Sequence, residues 1–388
     1  MDVSAGRSLD VGAGRLLASE RSPLRHLDPM LVVTTLALTI YGLMLIYSAT
    51  HQSIRAFDRT ADPGLFMKKQ FAFMLLGLIA MILVATFDYR LAKVYAPITY
   101  GAVVILLLLV MTPLGNRTLG AQRWITLFGF QFQPSEIAKL AVIAMLAAHL
   151  SEIQRGLRLE DVWRATGLVA LPMGLVFLQP DVGTSMAFAA ILLGVLVVAG
   201  AKAKHLGVLT LASIFAVFLA FRVGIVQEYQ LARLRAFIDP SADPLRAGYN
   251  IEQSRIAIGS GGLGGKGYLQ GTQTNLDFVP QQHTDFVFTV VGEEFGFLGG
   301  MLLLLLFALL LWRGIRIAML SKDAFGTLLA TGIVSVVAFQ VFVNVGMTLG
   351  IMPVTGIPLP FVSYGGTALV TNFLAVGLLM NIHMRRFK

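Results

Sequence analysis

The chain has no cysteine among its 388 residues, so disulfides, thiolate metal sites and thiol nucleophiles are excluded at the outset. Charge is also scarce: Asp, Glu, Lys and Arg make up 13% of the sequence, and there are six histidines. The charge present is unbalanced, at a formal net +9. Hydrophobic residues fill the space, at 56% of the total and a mean hydropathy of +0.76. No soluble domain of this size hides that much apolar surface in one core, so the composition is that of a polytopic membrane protein. The 39 Gly and 16 Met suit helices packed closely in lipid.

Residues 1–29 are polar and carry Arg7, Arg15, Arg21 and Arg25, without the short apolar core and small-residue cleavage site of a signal peptide. The first span is therefore expected to direct insertion. Apolar runs able to cross hydrocarbon occur about ten times, near 30–48, 66–87, 94–112, 134–150, 165–179, 183–200, 205–223, 285–312, 325–350 and 364–382. Arg90, Lys93, Arg155, Arg158, Arg164, Lys202, Lys204, Arg313, Arg316, Lys322, Arg385, Arg386 and Lys388 all fall between runs on the side of the N-terminus. The positive-inside rule makes that side the cytoplasm. The net positive charge is then topological bias and lipid attraction, with no nucleic-acid partner required. The expected fold is an all-α polytopic membrane protein of about ten helices. It consists of a cytoplasmic tail, 1–29, and a transmembrane domain, 30–388, with a large extracytoplasmic loop at 224–284.

Ionisable groups within spans are expensive, which makes each a functional candidate. Pro134-Ser135-Glu136-Ile137-Ala138-Lys139 opens the fourth run and sets Glu136 and Lys139 on one helical face. Two readings stand: an ion pair that fixes helix packing, or a cationic site where Lys139 meets a phosphate. Gln179-Pro180-Asp181-Val182-Gly183-Thr184 echoes the pattern, and Pro suits a first helical turn, so helix punctuation accounts for much of the likeness. In the second outward segment, Gly120-Ala121-Gln122-Arg123-Trp124-Ile125 reads as an amphipathic stretch with an interfacial Trp beside a snorkelling Arg. In the long insert, Leu231, Leu234 and Ile238 recur at helical spacing opposite Gln230, Arg233 and Arg235, as in a helix lying flat on the membrane. The glycine-rich stretch 259–267 fails as a phosphate loop. Ser260 stands where a Walker loop needs Gly, and Gly267 where it needs Ser or Thr. A flexible loop is expected there, with Lys266 free to steer an anion. The insert ends in Gln281-Gln282-His283-Thr284-Asp285-Phe286, which places a carboxylate at the membrane surface.

Arg123-Trp124-Ile125, Gln133-Pro134-Ser135-Glu136 with Lys139, Gln179-Pro180-Asp181, Gly248-Tyr249-Asn250 with Gln253-Ser254, His283-Thr284-Asp285-Phe286, and Pro358-Leu359-Pro360-Phe361 with Ser363-Tyr364-Gly365-Gly366 occur in one order. Together they resemble the SEDS family (shape, elongation, division, sporulation) of cell-wall proteins, from about residue 30 to the end. Thr355-Gly356-Ile357-Pro358-Leu359-Pro360-Phe361 is similar to its RodA-type elongation branch. The resemblance implies a peptidoglycan glycosyltransferase of the bacterial cytoplasmic (inner) membrane. Such an enzyme polymerises lipid II at the outer face, beside a class B penicillin-binding protein that crosslinks the product. It implies an essential carboxylate at Asp285 and an acidic residue at Asp277. Gln281 departs from the Glu common in the family, so that side chain cannot serve as a second base.

The chemistry agrees with that assignment. A sugar hydroxyl must attack an anomeric carbon while a lipid pyrophosphate leaves, which calls for a base and for positive charge on the leaving group. Asp285 is the candidate catalytic residue. The candidate substrate contacts are Arg123, Glu136, Lys139, Asp181, Lys266, Asp277, His283, Thr284 and Ser363. Asp285 also reads as a helix N-cap, and capping lowers a carboxylate's pKa and weakens it as a base. In that case binding of a divalent cation, Mg²⁺ or Mn²⁺, becomes its more natural task. No organic cofactor is expected. The alternative function is a flippase for lipid-linked precursors, although no inverted repeat is visible.

Overall fold

The structure, a computed structural model, describes residues 27–57, 62–118, 121–127, 130–224, 228–239 and 247–386. Most of the expected N-terminal tail, with Arg7, Arg15, Arg21 and Arg25, lies outside the described residues, as does Lys388. Among the described residues the helices are α1 Pro29–Phe57, α2 Leu65–Thr86, α3 Arg90–Val110, α4 Pro134–Ser151, α5 Leu159–Leu178, α6 Val182–Val198, α7 Ala203–Val223, α8 Glu228–Ile238, α9 Ala247–Ser260, α10 Thr272–Asn275, α11 Val287–Glu294, α12 Gly296–Met319, α13 Ala324–Thr348 and α14 Gly366–Arg385. Eight of them, α1 to α5 and α12 to α14, are long and apolar enough to cross a bilayer, and Val182–Val198 and Ala203–Phe215 are shorter apolar helices.

Most of α4, α13 and α14 is buried, while only a minority of α2, α3 and α12 is buried. Close backbone approach holds the inner helices together. Gly77 of α2 lies under the Phe373 ring of α14, and Gly332 of α13 lies against Ile143 of α4. Helix starts follow ordinary capping chemistry: Pro134 opens α4, and Asp181 accepts the Thr184 N–H at 3.1 Å to cap α6.

Three features differ from the sequence reading. The segment expected to be an amphipathic stretch is a three-stranded antiparallel sheet, β1 Asn116–Thr118, β2 Ala121–Leu127 and β3 Phe130–Phe132. Trp124, Ile125 and Thr126 of β2 and Phe130 and Phe132 of β3 are residue types that favour extended backbone. The eighth apolar run, expected at 285–312, is broken at Phe295-Gly296, where Gly296 takes a φ of +64°. It divides into the short α11, which carries Glu293 and Glu294, and the long α12. The glycine-rich segment is packed, not a flexible loop. A Cβ on Gly261 would lie 1.9 Å from the Gly292 oxygen, and one on Gly265 2.1 Å from the Glu294 oxygen. Only glycine permits that backbone contact. Hydrogen bonds from Lys266 N to Glu293 O at 2.9 Å and from Phe297 N to Gly262 O at 2.9 Å stitch the segment across the α11–α12 break.

Candidate functional site

Gln281–Phe286 folds into a tight turn whose hub is the Gln281 carbonyl. It accepts the N–H groups of Thr284, Asp285 and Phe286 at 3.2, 3.1 and 3.4 Å. Asn344, buried in α13, donates to the Asp285 carbonyl at 2.8 Å and to the Ile357 carbonyl at 2.7 Å. The turn and the 352–358 segment are thereby tied to one helix. Gly356 of that segment, at φ +74°, passes beneath the carboxylate: a Cβ there would lie 3.3 Å from Asp285 Oδ2 and 3.9 Å from Arg233 Nη1.

The N-cap of α11 is Phe286, without a side-chain cap bond, so Asp285 is not the cap. The conflict between capping and base chemistry therefore does not arise. Asp285 is partly exposed. Burial pushes its carboxyl up to about 6, against the pull of Arg233 and Arg123, with Asp181 adding to the rise. A carboxylate that titrates there is better matched to proton transfer near neutrality than an ordinary Asp.

Two expected residues, Arg123 and Asp181, gather around this group. From β2, Arg123 donates Nε to the Gln179 carbonyl at 3.2 Å and Nη2 to the Pro180 carbonyl, and its Nη1 is 3.9 Å from Asp181 Oδ2. Asp181 also accepts from Gln133 Nε2 at 3.4 Å. The fourth member, Arg233 of α8, was not among the candidates; its Nη1 donates to the Thr355 carbonyl at 3.3 Å. The helical spacing of Leu231, Leu234 and Ile238 sets Arg233 on the opposite face of α8. The structure keeps that division: Gln230 and Ala236 are buried within the protein, while Leu234 and Ile238 are exposed.

The other candidates are engaged differently. Glu136 and Lys139 form the expected i,i+3 pair at 2.9 Å, with side chains only 3% and 5% exposed. Lys266 is not a free cation: its ammonium donates to Glu293 at 2.8 Å and to Thr272 Oγ1 at 2.7 Å. Ser363 Oγ accepts the Leu359 N–H at 2.9 Å inside a turn, and Thr284 Oγ1 donates to the Gln281 carbonyl at 3.1 Å. The His283 ring packs on Phe66 and Tyr364 at centroid distances of 5.1 and 5.8 Å, while its carbonyl accepts the Tyr364 N–H at 2.9 Å. Burial holds its imidazole below the usual histidine value, and nearby Asp277 works against that. Asp277 itself stands at a φ of +55°.

The family described as cell cycle protein, FtsW/RodA/SpoVE, matches residues 29–388. The peptidoglycan glycosyltransferase MrdB of Escherichia coli K12 is 41% identical over 362 residues, covering 93% of this chain and 94% of that protein. A solved peptidoglycan synthase complex that coordinates polymerization and crosslinking aligns with a TM-score of 0.79 at 32% identity, over 93% of this chain and 99% of that one. The rod shape determining protein RodA of Thermus thermophilus aligns with a TM-score of 0.69 at 30% identity, over 93% and 98% of the two chains.

Proposed function

We propose, for a chain that belongs to the FtsW/RodA/SpoVE family and is a peptidoglycan glycosyltransferase, that it polymerises lipid II with Asp285 as general base. The observation that carries this reading is a partly exposed carboxylate, outside the cap of α11, that lies with the Arg233 guanidinium over Gly356 and feels the charge of Arg123. The acceptor hydroxyl oxygen bonds to the donor's anomeric carbon as the bond from that carbon to the pyrophosphate oxygen breaks. Asp285 takes the hydroxyl proton, and Arg123 and Arg233 stabilise the charge gathering on the leaving pyrophosphate. One base on the face opposite the leaving group inverts the centre, turning an α-linked donor into a β-linked strand, with no covalent intermediate.

The protein is an integral membrane protein. The side of its basic loops supports cytoplasmic termini and a site at the outer face of the bacterial inner membrane. A class B penicillin-binding protein is the proposed partner and cell elongation the proposed role. Incubating purified lipid II with the detergent-solubilised protein, with and without that partner, is expected to give polymer. A flippase would give none under either condition.

We propose that a divalent cation, Mg²⁺ or Mn²⁺, is shared here between protein carboxylate and substrate phosphate. Among the described residues no group of three or more His, Cys, Asp or Glu could hold a metal. Asp285 and Asp181 lie close enough for their charges to act on each other. One or two carboxylates completed by substrate phosphate oxygens is the usual Mg²⁺ arrangement. Such an ion would supply positive charge to the leaving group.

Two predictions arise here. The base must be deprotonated, so kcat/KM is expected to fall about tenfold per pH unit below an acid limb near 6 and to level off above it. A rate profile over pH 4–8 checks this, and a limb at the ordinary carboxylate value would refute it. Gly356→Ala forces a side chain into φ +74° with its Cβ 3.3 Å from the carboxylate. It should cost roughly 1–3 kcal/mol in strain and depress kcat, read by thermal unfolding and turnover on the same preparation.

A further inference from the structure

Behind the Asp285 turn lies a chain of buried polar groups that the reaction itself does not use. It begins at Glu293, whose side chain is 0% exposed. Its Oε1 accepts from Gln273 N at 2.8 Å, Lys266 Nζ at 2.8 Å and Thr272 Oγ1 at 3.2 Å. Its Oε2 accepts from Thr274 N at 2.9 Å and Thr274 Oγ1 at 2.8 Å. Thr274 Oγ1 in turn accepts from Gln282 Nε2 at 3.3 Å, and the same nitrogen reaches Thr289 Oγ1 at 3.4 Å. Thr289 Oγ1 donates to the Phe286 carbonyl at 2.6 Å. The path therefore grips the turn on both sides of Asp285, at Gln282 and at Phe286.

A buried carboxylate carries a desolvation cost that an apolar replacement avoids, so stability alone does not account for it. What this one supplies is geometry. α11 is a rigid rod of about 12 Å at 1.5 Å per residue. Asp285 stands just before its N-cap, Phe286, and Glu293 sits in its last turn. Anchoring Glu293 to the 266–274 segment fixes the rod, and Gln282 fixes the turn relative to the same segment.

We propose that Glu293 is a positioning residue for polymerisation, acting through Thr274 and Gln282 to hold the turn that presents Asp285. The proposal rests on Asp285 being the base. Misplacing a reacting group by about 1 Å can cost on the order of 100-fold, so loosening this path should act on kcat and not on substrate affinity.

The test uses the full chain, with its crosslinking partner where activity requires it, and lipid II as substrate. Thr274→Val and Gln282→Met are each expected to lower kcat by roughly 10- to 100-fold with KM unchanged. Each should also move the acid limb of kcat/KM down toward the ordinary carboxylate value as water enters the turn. Thr274→Ser, which keeps the hydroxyl, should recover most of the kcat lost in Thr274→Val. The double variant should be little worse than the poorer single one, because both changes cut one path. Wild-type kcat and an unmoved acid limb in both single variants would overturn the proposal. So would Thr274→Ser being as impaired as Thr274→Val, or losses that simply add. Asp285→Asn run alongside separates the two readings. If it is inactive while the other variants behave as wild type, only the positioning proposal fails; if it is active, the base reading fails and the positioning proposal falls with it.

Discussion

Asp285→Asn is expected to abolish glycan polymerisation while leaving the protein folded. Asp285 joins the turn through its backbone: its N–H reaches the Gln281 carbonyl, and its own carbonyl accepts from Asn344. A carboxamide of the same shape disturbs neither bond. It cannot accept the acceptor hydroxyl's proton, and loss of a positioned general base typically costs about 10²- to 10⁴-fold. Linkage gives the sign of the stability change. The folded-state pKa of Asp285 is raised to about 6, so its contribution to stability is fully present below the unfolded carboxylate value and is lost as pH rises through about 6. At neutral pH the charged form is a burden, and the Asn variant should melt no lower than wild type. Polymer measured on gels beside melting curves in the same detergent decides the matter. Equal polymer from both proteins would remove Asp285 from the reaction, and a lower melting point would show that the carboxylate had a structural task.

The parts of the fold legible in the sequence were those encoded locally. Apolar runs long enough to cross hydrocarbon gave the helices, and the Glu136–Lys139 pair followed from i,i+3 spacing on α4. Asp181 at a helix start was equally readable. What escaped depends on contacts between distant segments. Arg233 acts on Asp285 because α8 packs Gln230 and Arg233 toward the site, a contact that leucine spacing within one helix does not reveal. Gly261 packs on Gly292, 31 positions further along the chain, so a motif read locally as a flexible loop is in fact a close backbone seam. Asn344 is a polar residue in the apolar α13, and its value lies in two carbonyls that reach it from separate loops. The signal available for Arg233 and Asn344 was their cost: a charge or amide kept next to apolar surface needs a partner.

Lys139→Met is expected to destabilise the protein by about 3–5 kcal/mol, and pairing it with Glu136→Gln should restore most of that loss. The two side chains are 5% and 3% exposed and meet at 2.9 Å, yet Glu136 Oε2 is buried without a hydrogen-bond partner. The pair is therefore an imperfectly compensated unit. Removing the ammonium alone leaves a buried carboxylate in the first turn of α4 without its cation, whereas removing both charges leaves a packed apolar contact beside a neutral amide. Replacing a whole buried pair is often neutral or stabilising, while breaking one is not. Thermal unfolding of the two single variants and the double variant measures the coupling directly. Near-additive losses would mean that the charges do not compensate each other. The restored double variant also isolates the second possible role of Lys139. For its ammonium to serve a pyrophosphate, the pair would have to open toward substrate. A double variant that melts like wild type yet makes no polymer would return Lys139 to the reaction, while one that melts and polymerises like wild type would confine it to holding α4 in place.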